Sequence, residues 1–206
     1  MIQVFDNVIN SELAELNTDL ILISNVCENH ANLENRSPSW VGFGDSSVND
    51  FSLHSQEDQI VINEYLTKII KPLSLNLQSA ASGAEWWCNM NNSLGWHIDK
   101  DEILNKQKKE IICPRLSKVF YPKIDCSGGE LLLLDRDAGV ELQERADQFS
   151  PEYDSELISR IIRIPPKANR LVVFSPGIVH RINPFSGTRY SLAVNIWEEK
   201  PLINQG

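Results

Sequence analysis

The 206-residue chain is short of basic residues, short of cysteine and free of long apolar runs, and each shortage excludes a class of function. Lys and Arg number 19 against 28 Asp and Glu, a formal net charge of −9. Nucleic-acid binders neutralise phosphates with clustered Lys and Arg. The one dense cluster here, Lys106, Lys108 and Lys109, is broken by Gln107 and followed by Glu110. It reads as a solvated loop or helix face, so no nucleic-acid partner is expected. The four cysteines, Cys27, Cys88, Cys113 and Cys126, form no C-x-x-C pair, which argues against both a disulfide framework and a zinc site. No apolar run is long enough to span a membrane. The first six residues lack the charged and apolar regions of a secretory signal. A cytoplasmic, reduced protein with no membrane association is expected.

What is present suits a globular enzyme. Hydrophobic residues make up 42% and charged residues 23%, ordinary proportions for a packed core. The length predicts one domain over residues 1–206, with 1–75 mostly helical support and 84–197 a β core. Residues 2–8 read as a strand. A helix follows, capped near Asn10 or Ser11, with Leu13, Leu16 and Leu20 at helical spacing. Residues 28–56 look irregular. A second helix is predicted over 57–71, where Ile60, Val61, Tyr65 and Ile69 form an apolar stripe and Pro72 stops it. From residue 84 the texture changes to short apolar runs between turn residues: 84–91, 94–99, 116–121, 130–135, 160–164, 170–174, 178–182 and 188–197. That pattern predicts a β-sandwich or barrel rather than alternating βα units. The acid-rich stretch 135–156 reads as an exposed excursion between strands.

Chemistry concentrates around two of the four histidines. His30 and His54 have no ligand-type neighbour at useful spacing and read as surface or packing residues. His97 lies in Leu94-Gly-Trp-His97-Ile-Asp99. Residues two apart on a strand share a face, so His97 and Asp99 offer an imidazole and a carboxylate side by side. His180 precedes a turn-like Asn183-Pro-Phe-Ser-Gly187 segment, which predicts a hairpin between 178–182 and 188–197. With a four-residue loop at 184–187, His180 pairs with Ser191, and His180, Arg189 and Ser191 point the same way. Two histidines and a carboxylate with open positions opposite suit a non-haem iron. The planar fork of Arg189 suits a carboxylate on a small co-substrate.

The order H-x-D, a distant histidine, then R-x-S is similar to that of the Fe(II)/2-oxoglutarate-dependent oxygenases, and most of all to their prolyl-hydroxylase-like branch. Asp99 and His180 are 81 residues apart, and His180 and Arg189 nine. Ser127-Gly-Gly-Glu-Leu131 resembles that branch's Gly-Gly-acidic-Leu segment, and the opening strand then helix resembles its usual start. The resemblance implies a double-stranded β-helix, a cupin-like jelly roll, with N-terminal helices packed on one sheet. It implies Fe(II) held by His97, Asp99 and His180, and 2-oxoglutarate held at its far carboxylate by Arg189 and Ser191. Tyr121 or Val119 matches a further residue on that carboxylate, the usual Y-L-N text being replaced by Phe120-Tyr121-Pro122-Lys123. Trp87 matches a position near the co-substrate or the substrate mouth, or else a core aromatic. Residues 131–134 and Ile196 are candidate apolar walls. The implied reaction consumes O2, hydroxylates an unactivated C–H and releases succinate and CO2.

Two other readings compete. A cupin-like isomerase, lyase or sensor keeps the metal but leaves Arg189 and Ser191 unexplained. A non-catalytic β module leaves the whole polar constellation unexplained. The resemblance implies a peptide or protein residue, a free amino acid or a small molecule as substrate. Asn89 and Asn91 are placed to read its polar groups, and the acidic excess hints at a cationic one.

Overall fold

A computed structural model describes residues 1–9, 16–31, 38–43, 55–70, 81–90, 94–137 and 158–202. In chain order these form β1 (Ile2–Asp6), α1 (Leu16–Ala31), β2 (Ser39–Gly42), α2 (Gln56–Tyr65) running into a π turn (Leu66–Ile70), β3 (Gly83–Asn89) and β4 (Leu94–His97). There follow α3 (Glu102–Lys108), β5 (Leu116–Gly128), β6 (Leu131–Asp137), β7 (Ile161–Ile164), β8 (Arg170–Phe174), β9 (Ile178–Ile182) and β10 (Phe185–Trp197). The predicted caps Asn10 and Ser11, and Leu13, His54, Pro72, Asn91 and most of the 135–156 excursion, lie outside the described residues.

The strands make two antiparallel sheets, a major one in the order β1-β8-β5-β10-β3-β2 and a minor one in the order β4-β9-β6-β7. This is the mostly β, two-sheet architecture expected. Alternation gives each strand two jobs. On the outer face of the major sheet Trp86, Cys88, Leu116, Phe120, Leu192, Val194 and Ile196 pack under the helices. Between the sheets Tyr121, Val172 and Phe174 meet Leu131, Leu133, Ile178 and Ile182. The candidate walls therefore divide. Leu131 and Leu133 face the cavity, Leu132 and Leu134 pack outward with Trp96, Ile98 and Val179, and Ile196 faces the helices.

Helix α1 buries Ile23, Val26, Cys27 and His30 at the expected i, i+3, i+4, i+7 spacing. In α2, capped by the Ser55 hydroxyl, the buried stripe is Ile62, Tyr65, Leu66 and Ile70. The sequence reading had this face rotated: Ile60 is 54% exposed. Four-residue steps drift one way in an α-turn and back in the wider π turn, which keeps Ile62, Leu66 and Ile70 in line. The stretch read as irregular contains β2, which edges the major sheet beside β3.

The predicted hairpin is not there. Strand β9 pairs with β4 and β6 in the minor sheet, whereas β10 pairs with β3 and β5 in the major one. The chain crosses from sheet to sheet at Asn183-Pro184, where Asn183 N–H donates to the Glu130 carbonyl and the Pro184 carbonyl accepts from Gly129 N–H. Gly128 and Gly129 have φ of +83° and +77°, and a Cβ on Gly128 would lie 2.5 Å from the Pro184 oxygen. The Gly-Gly pair is thus required by this crossing. Strand β5 runs on past its predicted end because Pro122 sits in a bulge: Leu192 pairs with Phe120 but Tyr190 with Lys123, one extra residue on β5. Pro122 has no N–H to offer the ladder, and at the bulge none is needed.

Candidate active site

Strands β4 and β9 are paired so that His97 and His180 are direct cross-strand partners, their ring centroids 4.2 Å apart. Asp99 follows just beyond β4, and its Oδ1 lies 3.8 Å from His180 Nε2. One ligand atom from each of the three residues fits within 4.8 Å of the others. In both histidines Nδ1 contacts the carbonyl two residues earlier, Gly95 for His97 and Ile178 for His180, each at 2.8 Å. That bond places the proton on Nδ1 and leaves the Nε2 lone pair for a ligand role. Burial, and then the neighbouring His97, hold the His180 imidazole down to about 4, so it is neutral at physiological pH. Phe174 packs edge-on against the His180 ring at 4.9 Å. Asp99 is held from its other side by Ser117, whose hydroxyl donates to Oδ2 at 2.5 Å. Two imidazole Nε2 atoms and one oriented carboxylate are a donor set that fits a non-haem Fe(II).

Arg189 lies across the cavity on β10 and is 1% exposed. Its Nε donates to the Gly129 carbonyl at 3.0 Å, Nη1 to Ser191 Oγ at 3.2 Å and Nη2 to Tyr121 Oη at 3.3 Å. The guanidinium also lies 5.0 Å from the Tyr121 ring centroid and 5.7 Å from that of Phe185. Among the described residues no carboxylate pairs with it. A buried cation with no anion is costly, and the arrangement fits an anionic ligand that supplies the missing charge. Tyr121 is fully buried, and burial pushes its phenol above the usual range, so it stays protonated. Val119, the alternative to Tyr121, faces the same cavity but packs among apolar side chains. Ser191 also donates to the Asn89 carbonyl at 3.0 Å, which ties β10 to β3 beside the arginine.

His180 and Arg189 therefore face each other from opposite sheets, not from adjacent strands of one. Trp87 is half-buried on the cavity face of β3, directly opposite Ala193. His30 is a packing residue, buried beside Trp86 at 5.7 Å between ring centroids.

Two cavity residues escaped the sequence reading. Ser117 is one. The other is Glu85 on β3, paired with Asn195, which in turn pairs with Ser117. Trp197 Nε1–H donates to Glu85 Oε2 at 3.1 Å, and Asn195 hydrogen-bonds the same carboxyl. Burial and the nearby Asp99 raise Glu85 to about 7. The signal available for both was parity: Ser117 is in phase with Tyr121, and Glu85 with Trp87 and Asn89.

No curated protein sequence matches the chain. Among solved structures, a Pseudomonas putida prolyl-4-hydroxylase has 13% identity and a TM-score of 0.54, covering 97% of this chain and 88% of its own. IDO from Bacillus thuringiensis has 12% identity and a TM-score of 0.55, with 96% and 91% covered. HygX from Streptomyces hygroscopicus, solved with nickel and 2-oxoglutarate bound, has 11% identity and a TM-score of 0.54, with 95% and 82% covered. At these identities the likeness is one of fold. The sequence pattern of the 2OG-Fe(II) oxygenase superfamily matches residues 85–197, more than half of the chain and every strand from β3 to β10. The chain accordingly belongs to that superfamily, enzymes that work with Fe(II), 2-oxoglutarate and O2.

Proposed function

We propose that this dioxygenase holds Fe(II) on His97, Asp99 and His180, and holds the far carboxylate of 2-oxoglutarate on Arg189, Ser191 and Tyr121. It hydroxylates a C–H bond of a peptide or protein residue, a free amino acid or a small molecule, as a single cytoplasmic domain. Among the described residues no helix is long and apolar enough to cross a membrane. The observation that carries the proposal is the facing pair of sites: a His-Asp-His set at one sheet and, on the other, a buried guanidinium with no carboxylate partner among the described residues.

Each residue has a physical task. His97 and His180 present Nε2 because their Nδ1 protons are already engaged. Ser117 fixes the Asp99 carboxylate and leaves Oδ1 on the His180 side. Arg189 supplies the permanent charge, and Ser191 and Tyr121 fix the fork in place. Fe(II), when bound with 2-oxoglutarate, supplies the oxidising chemistry from O2, with succinate and CO2 as co-products. Phe174, Leu131, Leu133 and Val172 keep the surroundings apolar and limit water.

An anaerobic titration of the apo-protein with Fe(II) and then 2-oxoglutarate tests the assignment by its visible charge-transfer band. Wild type gives a band that needs both components. His97→Ala gives none because it binds no iron. Arg189→Ala keeps iron and loses the band at concentrations that saturate wild type. A normal band in Arg189→Ala overturns the anchor assignment.

A further inference from the structure

We infer that Glu85 is a substrate anchor, a carboxylate that takes a cationic group, alkylammonium or guanidinium, on the molecule to be oxidised. The inference rests on the iron and 2-oxoglutarate sites proposed above and adds the class of substrate.

Position is the first argument. The register aligns one residue from each of five strands in a row across the cavity face of the major sheet: Phe174, Ser117, Asn195, Glu85 and Trp40. The row begins at Phe174, which packs on His180, and passes Ser117, which holds Asp99. Glu85 lies two strands beyond Ser117, about 10 Å at ordinary strand spacing. A cation seated there leaves a carbon several bonds away over the ligand set, the geometry of an amine or guanidine on a flexible chain.

The second argument is charge. Among the described residues no Lys, Arg or His pairs with Glu85; its partners are Trp197 and Asn195. A carboxylate has about four acceptor positions, so two donors leave it half-satisfied. A neutral glutamine would serve Trp197 Nε1 equally well without the cost of burying a charge. Burial and Asp99 both oppose ionisation, so an incoming cation gains by pairing with a group the protein itself leaves unbalanced.

Surroundings make the third. Trp40 is the cross-strand partner of Glu85, Trp87 is two residues along the same strand, and Trp197 donates to the carboxyl. Trp40 and Trp197 are buried, and the Lys200 ammonium already lies 5.9 Å from the Trp40 ring centroid; the partly exposed Trp87 offers the ring face that suits a weakly hydrated organic cation. Glu85 and Trp87 both keep part of their surface exposed, unlike Trp40 and Trp197.

Indole N–H NMR of the Fe(II)-free, 15N-labelled protein tests the idea directly. The chain has five tryptophans, and Trp197→Phe assigns the reporter that touches Glu85. Wild type is titrated with n-butylammonium and, separately, n-butanol, to tens of millimolar. The expected result is a saturable shift of the Trp197 resonance with the ammonium, at least about tenfold tighter than with the alcohol, as for a hydrogen bond to a charged group. Glu85→Gln abolishes that preference. Equal response to both probes, no response, or a preference that survives in Glu85→Gln overturns the inference. The Fe(II)–2-oxoglutarate band is recorded on the same preparations. A normal band with no cation preference refutes the anchor alone. A missing band refutes the iron reading and, with it, any substrate role for Glu85.

Discussion

Replacing Arg189 with methionine separates a ligand anchor from a structural ion. In the apo-protein the guanidinium makes three hydrogen bonds, to Gly129, Ser191 and Tyr121, and holds its charge at 1% exposure. At about 1 kcal/mol each the three bonds contribute about 3 kcal/mol. Desolvation of the charge costs several kcal/mol in the opposite direction. Methionine fills similar volume without that cost, so apo stability changes by no more than about 2 kcal/mol. For a chain of this length that is a shift of roughly 4–8 °C in Tm, of either sign. The ligand response behaves differently. At a hundred times its Kd, 2-oxoglutarate stabilises the Fe(II)-loaded wild type by about 2.7 kcal/mol, or roughly 5–10 °C. In Arg189→Met that increment disappears at the same concentration. Anaerobic calorimetric scans with and without 2-oxoglutarate measure both quantities. Collapse of the apo-protein far beyond this range shows that Arg189 is structural. An undiminished ligand increment shows that the carboxylate is held elsewhere.

Other perturbations test the surrounding parts. Ser117→Ala removes the donor on Asp99 Oδ2 and weakens metal affinity about tenfold to a hundredfold, measured by competition with a chelator, while 2-oxoglutarate binding to the loaded enzyme changes less. Gly129→Ala places a Cβ 2.8 Å from Arg189 Cδ at a φ of +77°; it loses at least about tenfold in 2-oxoglutarate affinity by calorimetry, with iron affinity kept. Lys118 is buried under the helices, where it donates to the Ile70 carbonyl, and burial lowers it to about 7. Its unfolded pKa is higher, so between about pH 7 and 10 the unfolded chain binds more protons and stability rises with pH. Urea unfolding across that window shows the rise in wild type and a flatter curve in Lys118→Met. An identical slope in the variant assigns the rise to other groups.

The residues proposed to hold the metal and the co-substrate were legible as candidates because their chemistry is local. H-x-D needs only strand parity, and the spacing from His180 to Arg189 and Ser191 is carried by the chain itself. The partnership of these residues was not legible. A turn-rich 183–187 reads as a hairpin whether the chain folds back within a sheet or crosses to the other. Only the paired strands β3, β4, β5 and β6 settle it, and those contacts are distant in sequence. Ser117 and Glu85 were hidden for the same reason: nothing near them is unusual, and each matters through a residue on another strand. The α2 stripe was misplaced at both ends: Ile60 points outward from regular α-helix, and beyond Tyr65 the π turn changes the period and buries Ile70 more deeply than Ile69.

The extra residue at Pro122 decides what stands beside Arg189. On β10 the side chains alternate without interruption, and Ile124 is the cross-strand partner of the arginine. Lys123 turns outward, with its ammonium over the Tyr190 ring at 5.5 Å. Close the bulge with Pro122 still in the strand, so that the Leu192–Phe120 register runs on, and the partner of Arg189 becomes Lys123, turned inward. Two cations would then share a buried space shaped for one, and the pocket proposed for the co-substrate would carry the wrong charge without any change in the sequence. The valence of that pocket is written in the phase of a strand.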